Sequence, residues 1–120
     1  ASSCWPPVLD GARVAPDTVV AAMGAHGPDN AELPPALVRR ADLVVEGRAS
    51  AMREAGNLLA ARTAAEWADH PIANLADLVT GQFNRRAGVP AVFSGVGMAW
   101  EDLVVAAAIY DKYRNSHSRT

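Results

Sequence analysis

Three short runs of continuous apolar residues, each closed by a glycine, constrain this chain more than any other feature. Thr18-Val19-Val20-Ala21-Ala22-Met23 stops at Gly24, Asp42-Leu43-Val44-Val45-Glu46 stops at Gly47, and Ala91-Val92-Phe93 runs through Ser94 into Gly95. Continuous rather than alternating apolar character marks strands covered on both faces, the habit of parallel sheets. Helical spacing fills the intervals. Pro34-Pro35 opens a short helix carrying Ala36, Leu37, Val38 and Ala41. Ala49 to Ala55 predicts one or two turns stopped at Gly56, with Leu58-Leu59-Ala60-Ala61 as a separate turn. Ile72 to Val79 predicts a helix with Ile72, Leu75, Ala76 and Val79 inward and Asn74 and Asp77 outward. Gln82 to Gly88 is a polar, arginine-bearing loop. A last helix is expected from Gly97 or Met98 to Arg114, with Asn115 to Thr120 as a frayed tail.

This strand–helix alternation predicts an α/β fold: the second half of a Rossmann-like parallel sheet flanked by helices, with a long apolar C-terminal helix. Residues 1–96 are expected to form a partial dinucleotide-type domain, cut by turns at Pro6, Pro7, Gly11 and Pro16. Residues 97–120 form the helix, apolar nearly all round at Met98, Trp100, Leu103, Val104, Val105, Ala107, Ala108, Ile109 and Tyr110. Such a helix needs cover on more than one side, so exposed apolar surface and self-association are expected.

At 120 residues the chain buries one modest core. A net charge of −2 gives no reason to expect nucleic acid or an anionic membrane as partner. No apolar run approaches the roughly 20 residues needed to span a bilayer. The single cysteine, Cys4, makes no internal disulfide and suits a reducing cytoplasm. His26, His70 and His117 with Cys4 lack ligand spacing, so no metal site is expected. Trp5, Trp67 and Trp100 read as packing residues.

Phe93 to Leu103 aims a strand's carboxyl end and a helix amino terminus at one place, where α/β folds bind dinucleotides. His26 lies just beyond the first strand at the same edge, and histidine does acid–base work near neutral pH. On the residues alone, a loop histidine more often bonds a backbone carbonyl, Ser2 and Ser3 are turn residues, and Met23 is core. Glu101 and Asp102 suit the dipole at a helix start. Adjacent on a helix, they point about 100° apart and make a poor acid–base couple.

Four words of the sequence carry a resemblance. Phe93-Ser94-Gly95-Val96-Gly97-Met98-Ala99-Trp100-Glu101-Asp102-Leu103 resembles the "VFxSVGMAWEDLAVA" signature of the ornithine cyclodeaminase/mu-crystallin family. Ser2-Ser3 through Pro7-Val8-Leu9 is similar to its "TxSxxPVL". Ala22-Met23-Gly24-Ala25-His26-Gly27-Pro28-Asp29 with Glu32-Leu33 is similar to its "AVGSHxPDxREL", and Arg53-Glu54-Ala55-Gly56-Asn57-Leu58 to its "REAGDL". They stand in the family's order over nearly the whole chain. The resemblance implies a carboxy-terminal portion, whose amino-terminal dimerisation and substrate segment, with its Gly-rich turn, would precede Ala1.

The resemblance also implies roles. His26 would be the proton carrier, at a position where cyclodeaminases have aspartate. Ser2 and Ser3 would meet cofactor ribose or phosphate oxygens. Met23, Gly24, Gly95 and Val96 would lie against the nicotinamide of NAD, or of NADP. The leading expectation is a cyclodeaminase-like enzyme: an amino acid is oxidised to an imine, ring closure expels ammonia, and returned hydride gives a cyclic amino acid. The alternatives are an imine reductase or alanine dehydrogenase-like member, and a non-catalytic NAD(P)H and ligand-binding protein of mu-crystallin type. The full protein is expected to act on a small amino-acid or imine substrate as a homodimer, the isolated chain to be inactive. Ala31, Asn57, Ser94 and Gly95 depart from the family's usual words, and each is expected to remove a polar contact beside the cofactor.

Overall fold

The structure, a computed structural model, describes residues 6, 7 and 9–117. Four parallel strands, Val19–Ala22 (β1), Asp42–Val45 (β2), Ala73–Asn74 (β3) and Ala91–Ser94 (β4), form one sheet in the order β1-β4-β2-β3. The helices are Pro35–Arg40 (α1), Arg48–Glu54 (α2), Gly56–Leu59 (α3), Ala64–Ala68 (α4), Leu75–Val79 (α5) and Ala99–His117 (α6). The architecture is the expected one, a parallel sheet flanked by helices. Val92 of β4 sits between Val20 and Leu43 and is fully buried. It packs in one cluster with Leu37 and Val38 of α1, Leu58 of α3 and Val45 of β2. Burying side chains of this kind contributes about 1.5–3 kcal/mol each.

Several expectations need correcting. β2 is buried at all four positions, but β1 is not: Val19 is 66% exposed and only Ala22 is buried. β1 is an edge strand among the described residues, paired to β4 alone. The helix expected from Ile72 to Val79 is shorter. Ala73 and Asn74 instead pair with Val44 and Val45 as β3. Asn74 then caps α5 by taking the Asp77 N–H at 2.9 Å while the Asp77 carboxylate takes the Asn74 N–H at 2.8 Å. This reciprocal cap satisfies backbone donors that a longer helix would have used internally. It leaves Ala76 and Val79 exposed rather than inward.

A second capping box, Thr63 with Glu66, starts α4, which the apolar spacing did not suggest. The Thr63 backbone N–H and then its hydroxyl hold the exposed Glu66 carboxyl below the usual glutamate range. One turn on, Trp67 is buried as expected, its indole N–H donating to Leu58 O at 3.0 Å. Trp100 is not a packing residue within this chain, being 48% exposed.

The last helix runs three residues beyond Arg114 to His117, so this part of the expected tail is helical. Ser116 Oγ donates to Tyr113 O at 2.8 Å, and His117 Nδ1 lies 3.0 Å from the same carbonyl. No residue of α6 is buried; Leu103, Val104, Val105, Ile109 and Tyr110 all face outward. Charged residues at Glu101, Asp102, Asp111, Lys112 and Arg114 confine its apolar stretch to the middle turns. Among the described residues no helix is long and apolar enough to cross a membrane. The radius of gyration, 16.9 Å, exceeds the roughly 13.6 Å of a compact chain this long, because α6 projects.

Candidate active site

Parallel strands send their carboxyl ends to one edge of a sheet, so the segments after β1, β2 and β4 emerge together. The Gly95 N–H donates to Ala22 O at 2.9 Å, extending the β1–β4 ladder one step past the strands. Beyond it, His26 Nδ1 lies 3.1 Å from Val96 O. A carbonyl only accepts, so Nδ1 carries the hydrogen. The residue after β2 closes the triangle. Glu46 accepts the Val96 N–H at 2.9 Å, and both its oxygens lie 3.1 Å from Gly97 N. Gly97 has φ +79°, which lets the chain turn at this point.

A buried polar layer lies beneath. Glu32 accepts the Gly24 N–H at 2.7 Å, fixing the start of the histidine loop. Asn57 Oδ1 takes the backbone N–H groups of Glu32 and Leu33 at 2.8 and 3.0 Å, and its amide donates to Ser94 Oγ at 3.2 Å. Asn57 and Ser94 are each 1% exposed, so these bonds replace water that cannot reach them. The histidine loop is further pinned from the other side: Asn30 Nδ2 donates to His26 O at 2.6 Å, and the Gly27 N–H to Glu54 O at 3.0 Å.

The structure thus brings Met23, Gly24, His26, Gly95 and Val96 to one edge. Met23 is 68% exposed there, not core. Val96 packs its side chain against the core cluster, and its backbone faces Glu46 and His26. Ser2 and Ser3, with Cys4 and Trp5, lie outside the described residues. Two of the departures from the family's words, Asn57 and Ser94, bond one another, the amide and the hydroxyl supplying donors and acceptors of their own. Glu32, Glu46 and Asn57 went unrecognised as organising residues. For Glu46 a signal existed: a carboxylate closing the apolar run Leu43-Val44-Val45, immediately before glycine.

A concavity of about 860 Å³ lies elsewhere, lined by Asp42, Arg48, Trp67, His70, Ile72 and Arg86. Its charges are already paired, Arg48 with Asp77 and Arg86 with Asp42, and none of the residues gathered around His26 lines it. Chemistry points to the loop-built edge, where an exposed imidazole stands beside small residues. Among the described residues no three His, Cys, Asp or Glu side chains gather as a metal site.

Comparison with known proteins gives a consistent picture. The family model described as "Ornithine cyclodeaminase/mu-crystallin family" matches residues 1–117. Ketimine reductase mu-crystallin of Mus musculus is 35% identical over 107 residues, covering 89% of this chain and 32% of that protein. The crystal structure of a probable ornithine cyclodeaminase from Bordetella pertussis Tohama I superposes with TM-score 0.85 at 26% identity, over 98% of this chain and 39% of that one. Thermococcus litoralis Delta(1)-pyrroline-2-carboxylate reductase, solved with NADH and L-proline, gives TM-score 0.75 at 28% identity over 93% and 35%. The chain therefore spans about a third of the length of the relatives it matches.

Proposed function

This chain belongs to the ornithine cyclodeaminase/mu-crystallin family, and from that premise we propose that it builds the cofactor side of an NAD(P)H-dependent imine reductase site. The carrying observation is the convergence of the His26, Glu46 and Val96 segments at the carboxyl edge of a parallel sheet. The substrate class follows from the relatives named as ketimine and pyrroline-carboxylate reductases: a small cyclic imino acid. The residues present fit the nicotinamide end of such a cofactor. Gly24 and Gly95 carry no side chain, and Met23 offers an exposed apolar side chain beside them. Ser2 and Ser3 would serve the ribose and phosphates.

When bound, NAD(P)H supplies the hydride that adds to the imine carbon. His26 would give the imine nitrogen its proton from Nε2 of the imidazolium form, because Nδ1–H is committed to Val96 O, and the ring left behind is the neutral Nδ1–H form. Gly24 and Gly95 let the substrate and cofactor approach the backbone closely. Ornithine cyclodeamination is the second reading, favoured by the 0.85 TM-score to the Bordetella protein, and it would use the same proton carrier. A non-catalytic holder of cofactor and ligand is the third.

NADH consumption with delta-1-pyrroline-2-carboxylate, in the protein that carries this chain, tests the proposal, alongside a calorimetric titration with NADH. Saturable binding with turnover supports the reductase. Binding without turnover of this imine or of ornithine favours the holder, and absence of binding removes both. The 120-residue chain alone is expected to show no turnover, since the groups that clamp a substrate carboxylate would lie outside it. The full protein is proposed to dimerise with α6 covered. Leu103→Lys with Tyr110→Lys, one face two turns apart, should then raise the monomer fraction in sedimentation. An unchanged distribution would remove α6 from the interface.

A further inference from the structure

We infer that Glu46 is a positioning residue for His26, acting through the single peptide unit that joins Val96 to Gly97. The inference rests on the reading of His26 as proton carrier. In a trans peptide the C=O of one residue and the N–H of the next point in opposite directions from one rigid plane. Here the two ends of that plane are both engaged. The Gly97 N–H faces the Glu46 carboxylate at 3.1 Å, and the Val96 C=O faces His26 Nδ1 at 3.1 Å. Holding the N–H therefore holds the carbonyl, and the carbonyl orients the ring. The Val96 N–H, 2.9 Å from Glu46 Oε2, anchors the preceding peptide to the same carboxylate.

Two further observations fit this relay. A Cβ on Gly95 would stand 3.0 Å from Glu46 Oε1 and 3.1 Å from Phe93 Cε1. The carboxylate is therefore seated against the turn itself. The His26 ring has no other hydrogen bond among the described residues, so the relay alone chooses between its two neutral forms. An ionised acceptor at one end of a hydrogen-bonded peptide also strengthens its carbonyl as an acceptor at the other. The result is a neutral ring with hydrogen on Nδ1 and a lone pair on Nε2, the atom that takes up a proton before passing it to the imine. The residue after β2 thereby sets the protonation pattern of a residue after β1.

The test reads the ring directly. Nitrogen-15 NMR of the His26 imidazole should show one neutral form, Nδ1–H, in the parent protein. Glu46→Ala should give a mixture of the two forms, alter the pH profile of kcat, and lower kcat about tenfold with KM changed less than about threefold. Glu46→Gln should retain the single form, because one amide oxygen can accept the Gly97 N–H. Should Glu46→Ala fail to fold, Glu46→Asp is the substitute. It keeps the charge but falls one methylene short, and it should also give the mixture. An unchanged ring form and pH profile in the folded Ala or Asp variant would overturn the inference. If the ring form shifts while His26→Asn leaves turnover intact, the relay stands and the proton-carrier reading fails instead.

Discussion

Gly56→Ala is expected to destabilise the protein by about 3–5 kcal/mol. A Cβ on Gly56 would lie 2.0 Å from Asn30 O, 2.7 Å from Asn30 C and 2.8 Å from Gly27 O. All three are backbone atoms, so no side chain can swing aside. The 27–30 loop would have to lift off the junction between α2 and α3. That movement would break the Gly27 N–H bond to Glu54 O and draw Asn30 away from His26 O. Native stabilities of about 5–15 kcal/mol leave little after such a loss. Urea denaturation checks it, with Gly81→Ala as control. Gly81 has φ +74° and open space around it, so alanine there should cost only about 1–2 kcal/mol of backbone strain. Equal midpoints for the two variants would show that the loop does not pack on Gly56 as described.

The largest effect on activity is expected at His26. Replacement by asparagine removes the proton-carrying Nε2 but keeps a polar group in the loop, and kcat should fall by about 10²–10⁴-fold. KM should change little, because the walls of the site are backbone, glycine and Met23. His26→Asp should recover part of the rate, since a carboxyl also carries a proton, on a shorter reach. Steady-state NADH consumption with the cyclic imine measures both variants. Full activity in His26→Asn would remove the proton-carrier role and leave the histidine as a strut between two loops.

Much of this architecture was legible in the residues. β2 and β4 announced themselves by unbroken apolar runs ended by glycine, and α1 by its proline pair. The misreadings have specific physical causes. The Ile72–Val79 stretch satisfies helical spacing, yet Asn74 and Asp77 form a cap, and a cap overrides spacing by fixing where the first turn begins. β1 looks like an interior strand because its composition is that of one, whereas exposure depends on which strand lies beside it. The place of His26, just past β1 at the carboxyl edge, was legible; its proton-carrier role rests on the family resemblance. Its support was not: Asn57 works through an amide bonding two backbone N–H groups some 25 positions away, and pairings at that separation leave no local pattern.

The strand order also fixes when the sheet can exist. β1 and β2 are never neighbours; each touches the other only through β4. Among the described residues, a chain clipped before Ala91 keeps only the two-residue ladder of β2 with β3 and the single Gly27–Ala55 bridge. Closing the sheet therefore waits for the residues near position 91, across sequence gaps of roughly 50 to 70 residues, the kind of non-local pairing that slows folding. Until then Val44, Val45 and the whole of β1 have no strand beside them on the β4 side, and unpaired strand edges of this kind are where incomplete chains aggregate.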